Sequence, residues 1–315
     1  MDALFQNTDD ARVKNRIVST VEIASKCGYA ISVDEIALLL PYEPEVANIQ
    51  EIIQSDPNIS ISLSMEKELI VQKGYEHLFS ERKFREDVSK RYLEIAKTFV
   101  DQLIRRSSYV KLMAVCGSVA YGSALRSDDI DLFLVTKKNR LWLSIFKALL
   151  FARAFSTKAL IRGKKAEFCL SYAQDERHFE EEIMRHKSPL LAREFLSIHV
   201  LTGINYYSTL LARTNWIRNM FPRLRASKLI EQSKDEVSRT ENEPQFKVND
   251  VLNLFIYAVL RNYLSFKAFL RNMRYRKQHK MRDLFEAIIT KGSCVYTSER
   301  YLELEKMYDQ LLSIG

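Results

Sequence analysis

Apolar positions recur along this chain in two periods, and the changes between them mark its elements. Val13, Ile17, Val21 and Ala24 follow a helical spacing that Gly28 terminates. Ser32 before Asp34 and Glu35 reads as the cap and acidic first turn of a short helix reaching Leu40, where Pro41 stops it. A third helix opens at Glu43 or Pro44 and runs to about Gln54, with Val46, Ile49, Ile52 and Ile53 apolar. Asp56-Pro57-Asn58 turns the chain, after which residues 59–63 and 68–71 alternate as two short strands. A long amphipathic helix follows from about Ser80 to Arg106, broken by Ser107-Ser108. Residues 109–116 and 166–172 read as strands, and residues 141–155 as a strongly apolar helix between them.

Residues 189–213 are apolar and helix-rich, with a turn at Gly203-Ile204-Asn205. Residues 223–248 are polar and contain Pro244, which predicts a connection with one helix. The longest helix spans residues 249–284. Its aromatics, Phe255, Tyr257, Tyr263, Phe266 and Phe269, fall at helical spacing and are expected in the core. One more helix covers residues 298–312. The charged stretch 175–186 is expected to be a solvated helix face.

Candidate chemistry concentrates between Val115 and Thr136. An apolar run ends in Cys116-Gly117-Ser118. Ten residues later comes Asp129-Ile130-Asp131-Leu132, inside a second apolar run. On a strand Asp129 and Asp131 point to one face while Ile130 and Leu132 enter the core. Two adjacent carboxylates resist joint ionisation unless a cation lies between them, and Mg²⁺, hard and usually shared with substrate phosphates, suits that arrangement. Gly117 lets the backbone approach a ligand closely, and Ser118 with neighbouring N–H groups at a helix start can hold a phosphate.

This spacing of Gly-Ser and acid–apolar–acid resembles the signature of the DNA polymerase β-type nucleotidyltransferase superfamily. The resemblance implies a mixed-sheet fold, Mg²⁺ or Mn²⁺ on Asp129 and Asp131, and a nucleoside triphosphate as substrate. Gly117 and Ser118 would hold its β/γ phosphates, with Arg126 and the basic loop 158–165, Lys164 in particular, neutralising charge. Active members also carry a third acid on the next strand, here residues 166–172. Glu167, Cys169 and Ser171 share its polar face by alternation, so either Glu167 reaches the position or Ser171 occupies it. The chain further resembles a group of archaeal proteins that combine a winged-helix start with this domain, on residues 127–136, Arg140-Leu141-Trp142 and Asn215-Trp216 before Pro222. Three helices followed by a two-stranded ribbon is indeed the winged-helix order. Glu43, Glu45 and Glu51 on its third helix oppose DNA phosphate, which favours packing or a protein partner there. Arg140 and Trp142 read as residues that cap and pack their helix.

Composition narrows the rest. The 315 residues suffice for two or three domains with real cores. No apolar run reaches membrane-spanning length, and the first residues lack the features of a signal peptide. Cys27, Cys116, Cys169 and Cys294 are scattered, which predicts free thiols, no zinc site and a cytoplasmic protein. The five histidines are isolated. A formal charge of +8 favours polyanionic partners. Its densest concentration is Arg271, Arg274, Arg276, Lys277, Lys280 and Arg282, with Tyr275 among them and no acid in the same twelve residues. That cluster tilts the acceptor toward RNA, a tRNA included, with a protein hydroxyl or a small molecule also open.

The expected architecture is α+β: a winged-helix-like domain over residues 1–79, a nucleotidyltransferase domain over 80–175 and a helical C-terminal domain over 176–315. The expected function is metal-dependent nucleotidyl transfer resting on Asp129, Asp131 and Glu167. The alternative is an inactive relative that binds nucleotide or nucleic acid because the third acid is missing.

Overall fold

The computed structural model describes residues 2–42, 49–160, 167–232, 247–279, 281 and 284–313. Its centre is a six-stranded mixed sheet sandwiched between two layers of helices. The strands are β4 (Val110–Val115), β5 (Ile130–Thr136), β6 (Phe168–Asp175), β7 (His199–Thr202), β8 (Phe285–Ile289) and β9 (Ser293–Ser298), in the order β7-β4-β5-β6-β9-β8. Only β5 and β6 run parallel; the other neighbours are antiparallel.

β5 explains why its sequence is nearly all apolar. Ile130, Leu132 and Leu134 enter one core with Phe99 of α5 (His77–Ile104) and Trp142 of α7 (Leu141–Leu160). Phe133 and Val135 enter the opposite core with Phe179 of α8 (Glu176–Arg185), Phe195 of α9 (Pro189–Ser197) and Tyr207 of α10 (Ile204–Arg213). A strand covered on both faces needs a continuous apolar run. Local chemistry starts the covering helices: Asp175 caps α8 by accepting from His178 N–H, and Ser188 caps α9 ahead of Pro189. Gly203, at φ +86°, begins α10 where a Cβ would meet Lys111 O at 1.9 Å, so only glycine fits against β4. Trp142 is fully buried and its indole N–H donates to Lys291 O at 2.9 Å; it packs its helix, as expected.

The N-terminal part is built from α1 (Asp2–Lys26), β1 (Ile31–Ser32), α2 (Val33–Leu39), α3 (Ile49–Ser55), α4 (Pro57–Ser62), β2 (Leu63–Glu66) and β3 (Leu69–Gln72). Its strands form an antiparallel sheet ordered β1-β3-β2 over a core containing Ile17, Ile36, Leu40, Ile53 and Ile70. A capping box joins Ser32 and Glu35 at the start of α2.

Four expectations are corrected. Residues 59–63 alternate like a strand, yet Pro57–Ser62 is helical, because Asp56 accepts from Asn58 N–H and Pro57 sits at the first helical position. The region after residue 176 is not all helical, since β7, β8 and β9 belong to the main sheet. The longest helix, α13 (Lys247–Lys277), ends seven residues early; Asn272 bonds both backbone groups of Phe285, donating to its O at 2.7 Å and accepting from its N–H at 3.2 Å, and so folds β8 back. Of the α13 aromatics expected in the core, Tyr257 packs on Trp142, but Phe255, Tyr263, Phe266 and Phe269 are exposed. The start of the third helix, residues 43–48, lies outside the described residues.

Candidate active site

The end of β4 delivers Gly117 to the edge of a carboxylate. Its φ is +65°, and a Cβ there would lie 2.9 Å from Asp131 Oδ2. Only glycine lets the backbone turn this close. The short helix α6 (Gly117–Ala120) begins at that residue. Ser118 Oγ donates to Asp128 Oδ2 at 3.0 Å, and the same oxygen accepts Leu125 N–H at 3.0 Å. Asp128 thereby fixes the loop that leads into β5.

Asp131 sits in β5 on the same face as Phe133. Its backbone O accepts Cys116 N–H at 3.0 Å, which ties the two halves of the motif together. On β6 the register shifts between Leu170 and Tyr172, leaving Ser171 as the extra residue of a bulge. The Ser171 hydroxyl donates to Asp131 Oδ1. Burial pushes the Asp131 carboxyl up to about 6, the Ser171 hydrogen bond opposes that, and the neighbouring Asp129 adds to it. Cys169, opposite Asp131 in register, is pushed up to about 11 by burial and by that carboxylate.

Asp129 lies one residue before β5 and is half-buried, which raises its carboxyl; Arg271 counteracts the rise and Glu167 adds to it. Arg271 Nη2 lies 3.9 Å from Asp129 Oδ2. The guanidinium is held in place by donating to Tyr275 Oη at 2.8 Å and by lying over the Tyr275 and Phe285 rings. The sequence grouped Arg271 with a basic helix end. The fold turns it toward Asp129, across 142 positions that no local pattern could bridge.

The other expected residues distribute as follows. Glu167 is exposed just before β6, its backbone O accepting Ile130 N–H at 2.8 Å. Arg126 lies over the Phe84 ring at 5.1 Å. Arg274, Arg276 and Lys277 are exposed in the last turn of α13. Lys164 lies outside the described residues. Among the described residues no three His, Cys, Asp or Glu side chains group as a metal cage. Two hard carboxylate donors, both raised by burial, nevertheless fit a cation that completes its shell with substrate phosphates and water.

A cavity of about 640 Å³ extends from Gly117, Asp131 and Ser171 along the helical layer of that face. Phe133 and Tyr172, stacked 4.7 Å apart, form part of its wall. α8 adds Glu181, Glu182 and Arg185 to the lining; Arg177, His178, Glu181 and Arg185 are exposed while Phe179 and Ile183 are buried beneath them, the solvated helix face expected of this stretch.

Residues 82–200 match the family model described as a nucleotidyltransferase domain. Neither among curated proteins nor among solved structures does any match the chain. The match spans the Gly-Ser turn, both aspartates and the β6 strand.

Proposed function

Residues 82–200 are a nucleotidyltransferase domain of the polymerase β-type superfamily, and from that premise we propose that the chain transfers a nucleotidyl group from a nucleoside triphosphate to an acceptor hydroxyl, the new bond to the α-phosphorus replacing the one to the β-phosphate and releasing pyrophosphate, with Asp129 and Asp131 holding Mg²⁺ or Mn²⁺. The observation that carries this reading is the buried Asp131 carboxyl, raised to about 6, with the Gly117 backbone turned against it. A carboxylate kept in so unfavourable a place has its charge balanced when a cation arrives. When bound, the cation supplies charge neutralisation at the phosphates and a Lewis-acid contact to the reacting phosphoryl group.

The chain's own residues position the rest. Ser171 fixes the rotamer of Asp131 through its hydrogen bond. Gly117 and Ser118 present the backbone turn to the β/γ phosphates. Arg271, anchored by Tyr275 and Phe285, contacts the triphosphate from the far side of Asp129. Glu167, whose charge already acts on Asp129, accepts the proton of the attacking hydroxyl. Arg126 and Lys164 neutralise outlying phosphate charge. Arg274, Arg276 and Lys277 track the backbone of an RNA acceptor, tRNA included. The N-terminal helices and the β1-β3-β2 sheet support a winged-helix-like module that docks a protein partner.

A second reading rests on one contact. The group bonded to Asp131 from β6 is the Ser171 hydroxyl, where active relatives carry an acid. A domain that binds nucleotide without transferring it would keep Asp129 and Asp131 and lose that acid. Titration calorimetry with each nucleoside triphosphate, in Mg²⁺ and in EDTA, tests the shared core of both readings. Metal-dependent binding by the wild type, lost in Asp129→Asn/Asp131→Asn, is expected. Equal binding by both proteins would remove the motif from the site.

A further inference from the structure

α13 is apolar on two opposite sides. Ile256, Leu260, Leu264 and Ala268 are buried and face α7 and the sheet. On the other side Leu252, Phe255, Val259, Phe266, Phe269 and Met273 are all between 40 % and 66 % exposed. A helix that is hydrophobic all round is normally buried all round. Phe and Tyr side chains carry roughly 150–250 Å² each. With Tyr263 and Leu270 also exposed, the outer face presents several hundred Å² of contiguous apolar surface, beyond what a monomer usually leaves in water.

We propose that this face pairs with the same face of a second copy of the chain, the two α13 helices running antiparallel about a two-fold axis near Asn262. The spacing is the first argument. Residues 252, 255, 259, 262, 266, 269 and 273 alternate steps of three and four, the seam of a two-helix coiled coil. Such a repeat complements itself. Position 262 is the single polar member of the seam, exposed, and lies fifteen residues from either end of Lys247–Lys277. A lone Asn at such a position fixes register and partner number at some cost in stability. Charge decides the direction. Arg274, Arg276 and Lys277 crowd one end, and Asp250 is the acid of the other. Parallel pairing would set six cations side by side; antiparallel pairing separates the two basic ends by about 40 Å, given 1.5 Å of rise per residue.

Two such faces together cover more than about 1,000 Å², enough for a specific dimer. Among the described residues nothing covers this face, and residues 233–246, outside them, contain only Val237 and Phe246 as large apolar side chains.

Sedimentation equilibrium of the full chain at micromolar concentration tests this. The wild type is expected near twice 36.8 kDa. Phe255→Glu/Phe266→Glu, on exposed positions, is expected to halve that mass while keeping the wild-type circular dichroism spectrum. Asn262→Leu, which leaves the fold untouched, is expected to tighten the dimer or raise its order. A wild type that stays monomeric, or a dimer whose mass neither variant changes, overturns the proposal. A monomer that binds anionic vesicles through Phe255 and Phe266 also overturns it, and makes the face a membrane contact.

Discussion

Replacing Asp131 by Asn should stabilise the metal-free protein while abolishing metal-dependent nucleotide binding. In the unfolded chain the carboxyl titrates near 3.9; in the fold burial lifts it to about 6. The folded state therefore binds the proton more tightly. The stability tied to this group is fully present below pH 4 and is lost as pH rises through 6. A rise of about two units corresponds to roughly 3 kcal/mol of destabilisation at pH 7.5. Asn carries no charge and still accepts the Ser171 hydroxyl, although its amide must find a partner, so the net gain is about 2 kcal/mol at pH 7.5. Near pH 4.5 the gain should shrink below about 1 kcal/mol. Asp129, also raised by burial, contributes in the same direction in both proteins. Thermal melting in EDTA at the two pH values reads this directly: the variant should melt several degrees above wild type at pH 7.5, with the gap closing toward pH 4.5. Mg²⁺ with a nucleoside triphosphate should raise the wild-type melting point at pH 7.5 and leave the variant where it was. A variant that melts at or below wild type at pH 7.5, with the same gap at both pH values, would refute the reasoning.

Gly117→Ala should cost about 1–2 kcal/mol, since it combines a strained φ of +65° with a Cβ 2.9 Å from Asp131 Oδ2; calorimetry should register weaker triphosphate binding beside a lower melting point. Ser171→Ala removes the hydroxyl held by Asp131 and should weaken metal-dependent binding by roughly fivefold, about 1 kcal/mol. If Glu167 accepts the acceptor's proton, Glu167→Gln should cut turnover at least tenfold while leaving nucleotide affinity unchanged; loss of affinity with unchanged turnover would argue against that role. Charge reversal at Arg274, Arg276 and Lys277 should reduce the slope of log K against log salt for RNA by at least about 2. An unaltered slope would make the end of α13 an ordinary surface.

The acidic motif was legible because its determinants are local. A strand, a tight turn and two carboxylates two residues apart all fall between Val115 and Thr136, and β5 forms there with both faces apolar. Of the motif's partners, Ser171 was legible as one of two candidates on β6; that its hydroxyl is the group bonded to Asp131 follows from a bulge whose register exists only once β6 is paired. Arg271 was not legible as a partner, because it reaches Asp129 through the packing of α13. Helical spacing also placed Phe255, Phe266 and Phe269 in a core, because periodicity reports that a face is apolar and not what covers it. The strands β8 and β9 were missed for a related reason: the sequence of β8, Phe285-Glu286-Ala287-Ile288-Ile289, alternates only weakly in polarity although its burial alternates, and its place is set by Asn272 and by pairing with β9.

The most direct test is transfer itself. The protein would be incubated with each α-labelled nucleoside triphosphate and Mg²⁺ or Mn²⁺, with total cellular RNA as acceptor, beside Asp129→Asn/Asp131→Asn. Label is expected in RNA from the wild type alone, dependent on the divalent ion. No label transferred to RNA under any of these conditions, or equal transfer by the double variant, would contradict nucleotidyl transfer by Asp129 and Asp131.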